Sequence, residues 1–144
     1  MKIYLDNCCF NRPYDDQLQL RIRLETEAKL QIQSDIRAGN HELVWSYMLD
    51  YENGRNPFQE RKDRIATWRD YASSFMAGTD EVLEIASAVQ DNGVKKLDAL
   101  HIACAMYANA DFFITTDDGI IKKTKSIQTL RVVDPIDFIK ELSL

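Results

Sequence analysis

The residues of this chain best equipped for chemistry are four carboxylates: Asp6, Glu52, Asp98 and Asp117. Asp6 ends the apolar run "KIYL", and Asp117 follows "FFIT" with one threonine between. Asp98 falls in the first turn of the helical stretch "KKLDALHIACAMYANA", and Glu52 lies six residues beyond Ser46, the last residue of "ELVWS". Singly, each has an ordinary role. An Asp after a strand caps the next helix, and an acid in a first turn complements the helix dipole. Jointly they point elsewhere, because ligands of an open parallel α/β sheet bind outside the carboxyl ends of its strands, and acids following strands collect at that edge. Four carboxylates in one low-dielectric cleft repel one another unless a cation joins them. An all-oxygen donor set suits Mg²⁺ or Mn²⁺, and such an ion suits phosphodiester hydrolysis, where it activates water and polarises the phosphoryl oxygen.

Strands and helices must alternate for this edge to exist. "KIYL", "ELVWS", "FFIT" and "RVV" read as strands. Between them, Leu20, Leu24, Ala28, Ile32 and Ile36 recur at helical spacing, which predicts a helix over Gln17–Ala38 with Gly39 at its C-terminal end. A helical turn after "ELVWS" carries Asp50 and Glu52. Asn56, Pro57 and Gln59 have the order of N-cap, first-turn proline and capping-box partner for a helix to about Ala72. Thr79 caps a helix that stops near "DNG", a short helix covers "DGIIKKTKS", and Asp134 precedes a last helix from Pro135. The expected fold is α/β, a central parallel sheet flanked by helices on both faces, with residues 1–144 as one domain.

Composition bounds the function. With 45% hydrophobic and 28% charged residues the chain is ordinary globular protein, without disorder or low-complexity signatures. No apolar run approaches the roughly 20 residues that cross a bilayer, and the N-terminus reaches Asp6 too early for a signal peptide, so the expected location is the cytoplasm, away from membranes. Three cysteines, two of them adjacent, argue against a disulfide framework, and with only His41 and His101 a zinc site lacks ligands. The net charge of −5 disfavours a sequence-independent duplex binder but not an enzyme that holds acids at a cation and bases around the rim.

"MKIYLDNCCFNRP", "LVWSYMLDYEN", "LDALHIACA" and "FFITTDDGIIKK" stand in the order and spacing of the PIN-domain ribonucleases, and the chain resembles the VapC-type toxins of toxin–antitoxin pairs over nearly its whole length. The resemblance implies a single PIN-like domain that cleaves single-stranded RNA with Mg²⁺ or Mn²⁺. Matched motif by motif, the metal-binding acids are Asp6, Glu52, Asp98 and Asp117, which leaves Asp118 auxiliary. Asn7 departs from the Ser or Thr common beside the first Asp. The resemblance further implies a cognate antitoxin and a homodimer. Thr115 and Thr116 are candidates to orient acids or substrate, and Arg12, Lys122 and Lys123 to contact phosphates.

Other chemistries fit less well. A haloacid-dehalogenase-type phosphatase needs Asp and Thr where the chain has Cys8 and Phe10. A Cys8 or Cys9 nucleophile needs His101 as its base, but one turn from Asp98 that histidine reads as packed or hydrogen-bonded. No glycine-rich nucleotide fingerprint occurs. The alternatives left are a solitary PIN-like nuclease and a domain that binds RNA or protein without cutting.

Overall fold

A computed structural model describes residues 1–143. The chain runs β1 (Lys2–Leu5), α1 (Asn7–Asn11), a 3-10 turn (Arg12–Tyr14), α2 (Leu20–Arg37), β2 (Glu42–Ser46), α3 (Tyr47–Gly54) and α4 (Gln59–Ala66). A second 3-10 turn (Thr67–Tyr71), β3 (Ala72–Met76), α5 (Asp80–Gln90), α6 (Lys96–Tyr107), β4 (Phe112–Ile114), α7 (Asp118–Lys123), β5 (Arg131–Val133) and α8 (Pro135–Leu142) follow. The five strands form one sheet in the order β3-β2-β1-β4-β5, all parallel. The architecture is the α/β, PIN-like one that the motifs imply.

Successive residues of a strand face opposite sides of the sheet, and here each side meets a helix. Phe112 packs edge-on against Phe138 of α8, with ring centroids 4.9 Å apart. The next residue, Phe113, stacks on Tyr4, which meets His101 of α6. Parallel strands covered on both faces read as continuous apolar runs, and Ile3 to Leu5, Leu43 to Trp45 and Phe113 to Ile114 are fully buried. Gly39 adopts φ +80 one residue beyond the Ala38 cap, where a side chain would be strained, and the caps at Thr79 and Asp134 form as expected.

Three expectations are corrected. The helix after "NGRNP" ends at Ala66, and Ala72–Met76 is an edge strand whose half-exposed "ASSFM" carries little apolar signal. Its capping box is absent: Asn56 Oδ1 accepts from Phe58 N at 3.1 Å, while Gln59 Nε2 donates forward to Asp63 at 2.7 Å. Finally, α2 begins at Leu20 and turns an unexpected face inward. Leu20 and Leu24 are exposed, whereas Glu25, Thr26, Lys29 and Gln33 are buried beside Ile32 and Ile36. The reason is an ion pair, since Glu25 Oε1 accepts from Arg12 Nη2 at 2.9 Å and lies 3.6 Å from Arg21 Nε.

Candidate active site

Parallel registry between β1 and β4, with Leu5 opposite Ile114, brings the residues after both strands to one edge. Asp6 is fixed there by its main chain, whose N–H donates to Ile114 O at 2.9 Å. Its Oδ1 accepts from Asn7 N and its Oδ2 from Thr115 Oγ1, each at 2.8 Å. Burial raises the Asp6 carboxyl above the usual carboxylate range, and the charge of Glu52 adds to it, against His101 and the two hydrogen bonds. Asp6 thus caps α1 and also faces the other acids.

Thr115 is fully buried and joins two acids: its Oγ1 donates to Asp6 and accepts from Asp117 N at 3.2 Å. Asp117 caps α7, with Oδ1 accepting from Gly119 N at 2.8 Å and Ile120 N at 3.3 Å, and its other oxygen has no hydrogen bond among the described residues. Asp118 turns away into a bidentate pair with Arg21, at 2.7 and 2.6 Å. Thr116 contributes its N–H to Cys8 Sγ at 3.4 Å.

Asp98 stands in the first turn of α6. Its carboxyl is raised first by burial and then by the charges of Asp6 and Asp117, with Glu52 adding and His101 opposing. Asp98 therefore sits in the field of the other three acids. Glu52 completes the set from α3, where its Oε1 meets His101 Nε2 at 2.5 Å. Asp50, two residues earlier, is tied instead to Trp45 Nε1 at 2.8 Å and Arg69 at 3.2 Å.

His101 is packed and hydrogen-bonded, as its position predicts, but its partners form a chain that the sequence did not disclose. Its Nδ1 lies 2.5 Å from Tyr4 OH, which lies 2.6 Å from Ser46 Oγ. With Nε2–H donating to the Glu52 carboxylate, every member has a partner, and the direction of the bonds through Tyr4 and Ser46 follows the charge on the ring. Burial resists a charge on His101, but the bond to Glu52 and the nearby Asp6 and Asp98 outweigh it and raise its pKa. The chain links β1, β2, α6 and α3, the elements that carry or adjoin three of the acids. A polar Tyr4 inside a buried strand was its sole sequence signal.

The candidate phosphate ligands are dispersed. Arg12 is held by Glu25 and by Asp15, at 2.9 and 3.0 Å. Lys123 lines a small cleft of about 120 Å³ with Asp98, Asp117 and Lys95, and Lys122 lies outside it. A larger cleft of about 530 Å³ lies between Glu52 and Asp98, with Arg55, Lys95 and Lys96 on its walls. These cations were not singled out in the sequence, although Lys95 and Lys96 lie three and two residues before Asp98.

Among the described residues, no three His, Cys, Asp or Glu side chains are gathered tightly enough to enclose an ion by themselves. The donor chemistry nevertheless fits Mg²⁺ or Mn²⁺, because a hard ion takes one or two carboxylates directly and reaches others through water. Among the described residues no helix is long and apolar enough to cross a membrane.

No family model and no curated protein sequence matches the chain. Solved structures do. A chain of VapBC2 from Rickettsia felis, solved bound to a promoter DNA fragment, superposes with TM-score 0.55 at 14% identity, over 92% of this chain and 97% of that one. A toxin–antitoxin complex from Klebsiella pneumoniae gives TM-score 0.58 at 17% identity, over 92% and 97% of the two chains. VapBC-1 from nontypeable Haemophilus influenzae gives 0.57 at 15%, over 94% and 98%. The motifs that resemble VapC-type PIN domains thus lie in a chain whose fold is shared, nearly end to end, with components of VapBC assemblies.

Proposed function

We propose that the chain is a Mg²⁺- or Mn²⁺-dependent endoribonuclease for single-stranded RNA and the toxin of a toxin–antitoxin pair. The observation that carries the reading is Asp98: a half-buried carboxyl raised by burial and by three other acids, one from each neighbouring element of the sheet edge. A purely binding domain has no need of that mutual repulsion. Asp6, Asp98 and Asp117 hold the ion directly or through water, and Glu52 positions it or its water. When bound there, such an ion would supply Lewis acidity and a water of lowered pKa for phosphodiester hydrolysis. The chain's own part is to aim the acids. Thr115 ties Asp6 to the Asp117 main chain, α7 fixes one Asp117 oxygen while the other has no hydrogen bond among the described residues, and His101 holds one oxygen of Glu52, a residue that lines the cleft.

A net charge of −5 is reconciled with an RNA substrate by placement, because Arg55, Lys95, Lys96 and Lys123 stand at the rim of the acids. The partner reading draws support from the VapBC folds and from chemistry, since an Arg or Lys of an antitoxin entering the cleft would replace the ion's charge and gain charge-assisted hydrogen bonds. A homodimer within that complex belongs to the same proposal.

Cleavage of a labelled single strand is the test. It should require Mg²⁺ or Mn²⁺, stop with EDTA, and fall to about a hundredth or less in folded Asp6→Asn, Asp98→Asn and Asp117→Asn variants, as loss of a metal ligand should produce. Near-normal cleavage by two of the three sinks the reading. Expression with the product of the adjacent reading frame should relieve any growth arrest; harmless expression of an active enzyme leaves a solitary nuclease.

A further inference from the structure

We infer that the larger cleft beside Glu52 and Asp98 is a subsite for one unpaired nucleobase, stacked on Tyr51, with adjacent phosphates held by Arg55, Lys95 and Lys96. The inference rests on the nuclease reading and deepens it by naming what the enzyme grips.

The cleft holds about 530 Å³, within the size range of about 300–1,000 Å³ that accepts nucleotide-sized ligands. Its apolar wall is Tyr51 and Leu97, which are 48% and 43% exposed and so present open faces rather than core packing. The Tyr51 ring is already positioned. Arg55, one turn later on α3, places its guanidinium 5.7 Å from the ring centroid and donates from Nη1 to the hydroxyl at 3.1 Å. An exposed aromatic held this way stacks a base without first being ordered, and bases of any kind offer the π-face it needs.

The cations beside it lack an anionic partner. None of Arg55, Lys95 and Lys96 forms an ion pair among the described residues, although acids outnumber bases by 23 to 18 in the chain. Lys95 and Lys96 open α6, where the helix dipole disfavours positive charge, and Lys95 caps the helix without a side-chain hydrogen bond. The charges of Lys95 and Lys96 gain nothing from local structure and that of Arg55 meets only the Tyr51 ring, so a phosphate chain running past the stacked base gives all three an anion. Alternation of an aromatic face with cations is the pattern of sequence-tolerant single-strand binding. A base locked in a duplex cannot reach such a face, so the subsite selects single strands.

The test measures binding without cleavage. The Asp117→Asn chain in EDTA is titrated, at one fixed salt concentration, with fluorescein-labelled oligouridylate and with a matched strand of base-free ribose phosphates. Adding Tyr51→Ala should weaken the oligouridylate by about five- to 150-fold, the equivalent of roughly 1–3 kcal/mol, and leave the base-free strand unchanged. Tyr51→Phe should restore binding, because the ring and not the hydroxyl stacks. Equal losses on both strands, or no loss on either, overturn the subsite. So does a Tyr51→Ala chain that binds RNA normally but no longer captures the protein encoded beside it, for the cleft then belongs to that protein. If the parent chain binds neither strand, the nuclease reading fails and takes the subsite with it.

Discussion

The Ser46–Tyr4–His101–Glu52 chain and the Arg12–Glu25–Arg21 cluster both take polar groups out of water, yet they end differently. The first satisfies each of its buried atoms and finishes on a carboxylate at the cleft. The second finishes inside, where Glu25 Oε2 and, two turns on, Gln33 Nε2 have no hydrogen-bond partner among the described residues, and the pKa of Lys29 on the same face is lowered to about 8 by burial. Buried charge is thus used in two ways by one fold. At the sheet edge it sets the aim of an acid, whereas under α2 it ties the helix to the turn at Arg12 and, through Arg21 and Asp118, to α7.

The contrast predicts opposite signatures. Arg12→Met leaves the fully buried Glu25 with only the longer contact to Arg21, and should lower stability by about 3 kcal/mol in urea unfolding, with metal affinity unaltered. An unchanged midpoint would dissolve the clamp; a weakened metal site would merge the two clusters. Tyr4→Phe and His101→Leu should do the reverse, lowering Mn²⁺ affinity by about 10- to 100-fold, read by titration in the absence of RNA, since groups that orient metal ligands typically weigh that much. Unaltered affinity in folded variants removes the chain from the site.

A smaller effect concerns pH. Asp98 has its pKa raised on folding, so its contribution to stability is complete below the ordinary Asp value of 3.8 and is lost as pH rises through the raised folded value. In EDTA, Asp98→Asn should therefore gain stability relative to the parent chain toward neutral pH, and Mn²⁺ should stabilise the parent more than the variant. A variant that weakens as pH rises reverses the sign. The least effect is expected from Asp118→Asn. Its partner is at the surface, so cleavage and the thermal midpoint should stay close to the parent values while Asp117→Asn loses cleavage. Equal losses in the two would show that both acids serve the ion.

Much of this was legible in the sequence because apolar runs and punctuation are local signals. "KIYL", "ELVWS", "FFI" and "RVV" are strands, Asp6 and Asp117 follow two of them at one edge, and the helix caps at Thr79 and Asp134 carry their own hydrogen bonds. The misread segments depend on partners distant in sequence. Ala72–Met76 is a strand because β2 pairs with it, not because "ASSFM" alternates strongly. Glu25 turns inward because Arg12, thirteen residues earlier, meets it, and Leu24 is left outside. The bond of His101 to Tyr4 spans 97 residues, so no spacing rule could announce it. Tyr51 and Arg55 look like any pair of helix residues until exposure is known.

Strand order also has a consequence for the newborn chain. The sheet grows outward from β1 in both directions: its first half lays down β3-β2-β1, and its second adds β4 and β5. During synthesis from the N-terminus, β1, β2 and β3 emerge first, but Asp6 and Glu52 still lack Ile114 and His101, the partners that fix them. Asp98 and Asp117 arrive only with the second half, and Asp6 receives its Thr115 bond only when β4 docks on β1. On the nuclease reading, a fragment that stops before β4 lacks Asp117 and the Thr115 bond and would not cleave RNA.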